Sequence, residues 1–520
     1  MIQMNRAWNV EGPNHYGRPF VRIQYDDSQV SSLYSKHVNR QLGDSPFSGY
    51  SEPLLQISLK LVTDSNRLGL IDMAFEQKNG QKYMLYFGAN YSQALNLFQT
   101  GSYILERICS NPDTNLSYVI DEIFAPVHES KRPSVMGVTG TNGKTTVVNL
   151  IYQMLLKCSN SELKVGKIDS INVEINNVPV GGITDEQYDS GRMLLSLDLD
   201  SAVLELTRKG IWFYGLPTKN LSTGIITNVS NDHIGTYGIS TIDDLLSVKS
   251  VVAANARNVI VLNHDDERLK KLSIKGSGAK VIYFCSTPSH EISSYDNAVY
   301  VDDGKIIIKE GGSKIEVSRL QDISFCDGGK IIHNVENILA ALSAVYFDPN
   351  INIDIRKVSQ YIETLHTNDL VPGRFNVFKI NGTKIVVDYA HNPDGIRKLG
   401  ASLEKIAGKD LSCLVTIAEN RDQYFCEQTA LELCRYFKTI FLFRDTESYS
   451  NDNRITILDL ENSLRKHDQN SHVEILSKDP LTEYLDLLKT DEVGVVMFAG
   501  LGTPISIIER IKNYSRRFDR

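Results

Sequence analysis

The polar and apolar positions of this chain change rhythm at a few places, and those places mark its elements. Ser134–Thr139 is a short apolar run that ends at glycines, which predicts a strand. From Lys144 the apolar residues Val147, Leu150, Ile151, Met154, Leu155 and Cys158 recur at three- and four-residue spacing, which predicts a helix. Further on, NAVYVDDGKIIIKEGGSKIEVSRL sets Asp-Gly and Gly-Gly between alternating runs, the signature of β-hairpins. From Gly373 onward the apolar runs KIVVDYA, LSCLVTIA, TIFLF and VGVVMFA are separated by helical segments, as in a parallel sheet with crossover helices. Before Ser134 the pattern mixes short strand-like runs with one amphipathic segment, Tyr91–Ile108, and then a polar stretch with two prolines, Glu122–Ser134, that reads as a linker. Three regions follow: 1–130, 131–372 and 373–520.

Composition narrows the class without naming it. A chain of 520 residues holds about three domains of ordinary size. The net charge of −8, with no broad basic stripe, argues against a nucleic-acid binder. The seven cysteines form no C-x-x-C pair and read as small buried hydrophobes in a reducing compartment. Neither a signal-peptide core nor an apolar run long enough to span a bilayer is found, so the expectation is a cytoplasmic protein without a membrane partner.

The stretch between the first strand and its helix carries the chemistry. Gly140, Thr141, Asn142 and Gly143 lie where a strand ends and a helix begins. Glycines let backbone N–H groups converge on an anion, and the helix N-terminus adds the positive end of its dipole. Lys144 would reach the outer phosphates, and Thr145 would hold Mg²⁺. The generic phosphate-loop pattern wants glycine at Val138; the longer variant G-x-x-G-T-N-G-K-T-T, from Gly137 to Thr146, is matched in full. Two further stretches fit beside it. In AVLELTRKG, Glu205 lies near the end of a buried-looking strand, and in IITNVSNDHIG, Asn228, Asp232 and His233 follow another. Open α/β sheets bind ligands beyond the carboxyl ends of their strands, where a carboxylate suits a phosphate-bridging cation. Taken singly, each reads first as structural: a Glu after a strand is often a salt-bridge partner, and Asp-His is a common loop dipeptide.

The order of motifs adds more than any one of them. GVTGTNGKTT, AVLEL, TNVSNDHIG, VLNHDDERL, HNVENILAA, PGRFNV and VVDYAHNPDG together resemble the Mur ligases, and within them are most similar to the Mur-ligase module of the cyanophycin synthetases. The resemblance covers residues 131–405 and thins toward the C-terminus. It implies an α/β protein of three-domain, Mur-ligase-like architecture: a distinct N-terminal α+β domain, a central P-loop α/β domain and a C-terminal Rossmann-like α/β domain. It also implies ATP-dependent amide formation, in which a carboxylate becomes an acyl phosphate and an amine displaces the phosphate.

On this resemblance Gly140, Thr141, Asn142, Gly143, Lys144, Thr145 and Thr146 cradle the phosphates of ATP, with one Mg²⁺ on Thr145. Glu205 and His233 match the ligands of a second Mg²⁺. Lys249 matches the lysine that many members carbamylate; read alone, it is also a solvated lysine on an amphipathic helix. Asn263 falls near the nucleotide, Asn334 and Asn337 on the adenine side, Asp388 at the ribose, and His391 and Asn392 along the cleft. Arg374 would reach the γ-phosphate from the third domain.

Departures from the pattern mark where specificity changes. The family's threonine-rich stretch is replaced by KIDSINVEINN, which keeps Asp169; the glycine-aspartate-arginine turn reads ENRD, with Arg421 and Asp422; the arginine-rich substrate loop reads RDTESYSNDNR. The segment before the phosphate loop is too short for an ATP-grasp module. The expected partners are therefore an acid and an amine, as small molecules or peptides, with room for a separate ATP-grasp protein and for a homo-oligomer. The other reading is a catalytically silent nucleotide-binding module that regulates or scaffolds such an ATP-grasp ligase. The retention of Lys144, Glu205, His233, Lys249 and Arg374 favours the enzyme.

Overall fold

The computed structural model describes residues 20–25, 72–78, 81–87 and, apart from 180–190, 192–193, 196–198, 219, 233, 235–238, 273–277, 288–289, 409, 418–420, 445–454, 469–470, 490–491 and 500–502, residues 133–516. The amphipathic segment Tyr91–Ile108, most of the expected linker and most of the RDTESYSNDNR loop lie outside the described residues. The chain divides into two compact units, 1–132 with 209–217, and 133–208 with 218–520. In the first, β1 (Phe20–Tyr25), β2 (Asp72–Lys78) and β3 (Gln81–Phe87) form an antiparallel sheet of order β1-β3-β2.

The second unit holds two sheets. Strands β4 (Ser134–Thr139), β5 (Val165–Ile168), β6 (Val173–Ile175), β7 (Val178–Pro179), β8 (Ser201–Glu205), β9 (Leu221–Ile226), β10 (Ala256–Asn263), β11 (Lys280–Cys285), β12 (Asn297–Asp302), β13 (Lys305–Glu310) and β14 (Ser313–Arg319) make the larger. Their order is β14-β13-β12-β11-β10-β9-β4-β8-β5-β6-β7, parallel from β12 through β5 and antiparallel at both flanks. Strand β4 is buried at every position, as a central parallel strand between helical layers must be. The helices here are α1 (Lys144–Cys158), α3 (Ile242–Ala254), α4 (Glu267–Lys270), α5 (Ile332–Phe347) and α6 (Ile355–Thr364); α2 (Arg208–Tyr214), all but its first residue, belongs to the first unit.

Helix α1 forms where the spacing predicts it, but it is no half-exposed amphipathic helix. Val148 and Tyr152 are buried together with all six predicted core positions. Its apolar residues share one core with α5, α6 and one face of the sheet, so nearly every direction is covered. The β12-β13-β14 meander turns at Asp303-Gly304 and Gly311-Gly312, with φ of 47° and 69°, and of 53° and 90°. Two consecutive left-handed residues match the twist of a two-residue hairpin.

The smaller sheet comprises β15 (Asn376–Ile380), β16 (Thr383–Asp388), β17 (Leu411–Val415), β18 (Thr439–Phe443), β19 (His472–Leu476) and β20 (Val493–Met497), in the order β15-β16-β20-β17-β18-β19. All pairs but β15–β16 are parallel. Helices α7 (Pro393–Ala407), α8 (Gln423–Tyr436), α9 (Ile457–His467), α10 (Pro480–Leu487) and α11 (Pro504–Ser515) complete the α/β layers, with apolar clusters on both faces of the sheet.

Candidate nucleotide and metal site

Parallel pairing gathers the site. Val138 is in register with Glu205 and Thr139 with Ile226, so the ends of β4, β8 and β9 share one edge of the large sheet. The loop that leaves β4 is held from beneath by the segment that leaves β9. Asn142 N–H donates to Asn228 Oδ1 (2.9 Å), and Thr227 Oγ1 and Asn228 Nδ2 donate to Asn142 O (2.6 and 3.1 Å). Gly140 and Gly143 have φ of 152° and 86°. A Cβ at Gly140 would run into Thr227 Oγ1, and one at Gly143 into Asn337 Oδ1. Helix α1 therefore starts on a left-handed glycine, with no side-chain cap and no acidic residue in its first turn. Its opening N–H groups are left to the loop, which is the arrangement that takes an anion.

Lys144 Nζ donates to Gly140 O and Thr141 O (3.1 and 2.9 Å), closing the loop on itself. Burial lowers its pKa, Glu205 and Asp232 oppose that shift, and Arg374 adds to it. Thr145 Oγ1 donates to Glu205 Oε2 (2.9 Å) and lies 3.1 Å from Ser170 Oγ, while Ser170 N–H donates to the same Glu205 oxygen (3.1 Å). Glu205 is 2% exposed, and burial raises its pKa against the pull of Lys144. Arg374 brings Nη2 to 3.5 Å from Thr145 Oγ1, and its guanidinium lies over the Tyr389 ring at 4.7 Å. Thr146 is buried behind the loop.

Lys249, on α3, is 2% exposed, which excludes the solvated-lysine alternative. Burial pushes its pKa well down, and Lys144 and Arg208 add to that shift while Asp232 opposes it. Lys144 and Arg374 thus both act on Glu205 as positive charges, an electrostatic match for a polyphosphate carrying a cation.

A second cluster lies on the same edge. Asn392 Nδ2 donates to Asn142 Oδ1 (3.1 Å) and Asp232 Oδ2 (3.3 Å), Asn142 Nδ2 to Asp394 Oδ2 (3.1 Å), and Arg421 Nη2 to Asp232 Oδ1 (3.2 Å). His391 Nε2 is 3.4 Å from Asp232 Oδ2. These bonds tie the phosphate loop to the starts of α7 and α8. Asn392 and Asp422 also act as N-caps of those helices, accepting from Gly395 N–H and Phe425 N–H.

Other residues singled out by the sequence are spoken for. Asn263 Nδ2 donates to Thr227 O (3.0 Å) and Asn334 Nδ2 to Phe325 O (2.8 Å); Asn337 rests on Gly143. Asp388 accepts from Phe375 N–H and Ala390 N–H, both at 2.8 Å. His233 lies outside the described residues. Sequence reasoning singled out Asp169 but missed Ser170 and the buried pairing of Lys167 with Asp169 behind it. Lys167 Nζ meets Asp169 Oδ2 at 2.6 Å, and Asn149 Nδ2 bonds the same oxygen (2.7 Å), which fixes the turn that presents Ser170 to Glu205.

The donor set fits ATP and a divalent cation. A buried carboxylate beside a threonine hydroxyl, at the start of an uncapped helix, suits Mg²⁺, which keeps water and phosphate oxygens as its remaining ligands. Among the described residues, no group of three His, Cys, Asp or Glu side chains is placed to hold a metal. Nor is any described helix long and apolar enough to cross a membrane.

Comparison with known proteins places these residues in a wider set. Residues 138–345 match the Mur ligase middle domain, and 373–500 the Mur ligase glutamate ligase domain. A cyanophycin synthetase of Crocosphaera subtropica is 30% identical over 413 residues, covering 77% of this chain and 45% of that protein. The UDP-N-acetylmuramoylalanine–D-glutamate ligase of Clostridioides difficile is 27% identical over 338 residues, covering 64% of each. The chain spans less than half the length of the cyanophycin synthetases it matches. Among solved structures, E. coli FolC in complex with DHPP and ADP shares the fold, with a TM-score of 0.56 at 14% identity over 74% of this chain and 90% of that one.

Proposed function

Because the chain belongs to the Mur ligase family, we propose that it is an ATP-dependent carboxylate–amine ligase, joining an acid to an amine as an amide by way of an acyl phosphate. The observation that carries this reading is the meeting of Lys144, Thr145 and Glu205 from the large sheet with Arg374, which leads into the smaller one. Thr145 and Glu205 would hold Mg²⁺ beside a nucleotide on the loop; ATP there would supply the phosphoryl group that activates the acid, and the cation would neutralise charge during its transfer. Gly140–Thr146 orient the phosphates through backbone N–H groups, and Lys144 turns from its own loop carbonyls toward them. Arg374 adds positive charge from the opposite sheet. Burial pushes the Lys249 pKa down, which favours the neutral amine, the form that takes up CO₂ as a carbamate with loss of a proton and gains the anionic charge a cation would use. The bonds from Asn142 and Asp232 to the C-terminal helices bring the two sheets together and shield the reacting carbon from water. The acid and the amine are an amino acid, a peptide or a small metabolite, and a separate ATP-grasp protein is a candidate partner.

ADP release in the presence of Mg²⁺ and pooled amino acids and peptides, with mass spectrometry of the product, tests this. ADP and an amide product are expected, with loss of roughly 100-fold or more in Lys144→Ala. ATP binding without release for any acid and amine would favour the silent module instead.

A further inference from the structure

We propose that Asp388 is a positioning residue for Arg374, a role that rests on the ligase reading above. The sequence places Asp388 at a ribose; the geometry gives its carboxylate a further task. One oxygen accepts from the N–H of Phe375, the residue after Arg374, and the other from the N–H of Ala390, the residue after Tyr389, each at 2.8 Å. Tyr389 is the ring on which the Arg374 guanidinium lies, at 4.7 Å, and that ring is braced by Phe498 at 5.2 Å. A single carboxylate thus pins both the backbone that carries the arginine and the turn that carries its platform.

The backbone needs such a pin. Phe375 has φ of 50°, a left-handed conformation that a residue with a bulky side chain adopts only when its surroundings impose it. Asn376, just after Phe375, accepts from Gly373 N–H and donates to Val371 O and Thr367 O, which shapes the loop before Arg374 but leaves the Phe375 N–H to Asp388. Hydrogen bonds to a buried carboxylate are the stronger kind, and two from backbone N–H groups fix its plane. Held there, Arg374 points at Thr145 and at the outer end of the phosphate loop. Asp388 then acts on the γ-phosphate end of the nucleotide, through the arginine.

Calorimetric binding of ADP, AMPPNP and 2′-deoxy-ADP, each with Mg²⁺, to the full chain separates the two roles. Asp388→Asn keeps an acceptor for one N–H and turns a donor toward the other. It is expected to lower the preference for AMPPNP over ADP by roughly tenfold, and to have no further effect on that ratio in an Arg374→Ala background. Tyr389→Leu, which removes the platform and keeps the buried carboxylate, is expected to lower the same preference, and decides the matter if Asp388→Asn does not fold. A loss of discrimination against 2′-deoxy-ADP with the AMPPNP preference intact, or effects of Asp388→Asn and Arg374→Ala that multiply, would overturn the proposal. Failure of the parent chain to bind either ADP or AMPPNP would sink the ligase reading instead.

Discussion

Lys249 is a long cationic side chain in a place that water does not reach, and its protonation is therefore a stability matter. In the unfolded chain it takes up a proton below pH 10.5, while in the folded chain burial and the neighbouring cations hold its pKa well below that. Between the two values the unfolded state binds the extra proton, so this lysine destabilises the fold progressively as pH falls from 10.5 to the folded value. In CO₂-free buffer, the stability of Lys249→Met relative to the parent should rise over that window, by at most about 1.4 kcal/mol per pH unit. Denaturant midpoints at several pH values measure it, and a difference that does not change with pH would refute the assignment. The same variant should lose ADP release, since Met cannot take up CO₂. At this scale the sequence is legible where residue type and chemistry coincide: Lys144, Glu205 and Arg374 meet at one place. Ser170 was not legible, because a serine after an ordinary strand has no pattern; its place depends on Lys167 and Asp169 fixing the turn. The bonds of Asn263 and Asn334 to distant carbonyls were hidden for the same reason.

Elements that announce themselves do so through backbone chemistry. The glycines of the phosphate loop are required by conformation and by space, so Gly143→Ala should abolish nucleotide binding and destabilise the chain by about 1–3 kcal/mol, read by calorimetry and thermal melting. Unchanged ADP affinity in that variant would show that the loop does not hold phosphate. At the opposite ends of β4 and β9, Asp348 accepts from Ser134 Oγ, Ser222 Oγ and Thr223 Oγ1 at 3.0, 2.6 and 2.8 Å. Asp348→Ala should cost on the order of 2–4 kcal/mol and leave ADP affinity as it was, because it strips three buried hydroxyls of their acceptor far from the loop. A melting temperature equal to that of the parent would exclude this anchor. The hairpins at Asp303-Gly304 and Gly311-Gly312 were readable from their turn residues. Strands β15 and β19 were not, since β15 is an edge strand and β19 has only two buried positions, at Val473 and Leu476. Helix α1 was legible as a helix, while its burial on nearly all sides came from α5 and α6.

At the scale of the molecule, the α/β architecture was read from the order of motifs and the alternation of strands and helices, but the joint between the two large sheets was not. Asn142 meets Asn392 across 250 positions, and Asp232 meets Arg421 across 189, distances at which no local period carries information. The joint has a second fastening, a largely buried ion pair between Lys398 on α7 and Glu336 on α5 at 2.6 Å. Lys398→Met would strand the carboxylate and should destabilise the chain by about 3–5 kcal/mol, with much of the loss recovered in the Glu336→Gln/Lys398→Met double variant. Equal melting temperatures for parent and single variant would show the pair to be idle. Asn142 has its main chain in the phosphate loop and its amide on the start of α7, so a nucleotide held by the loop would be thermodynamically linked to the joint. Linkage is reciprocal: if a bound nucleotide tightens the joint by some factor, anything that tightens the joint raises nucleotide affinity by the same factor. A binding protein selected for the joined face would therefore enhance nucleotide uptake without touching the loop, and one that wedges the face apart would suppress it.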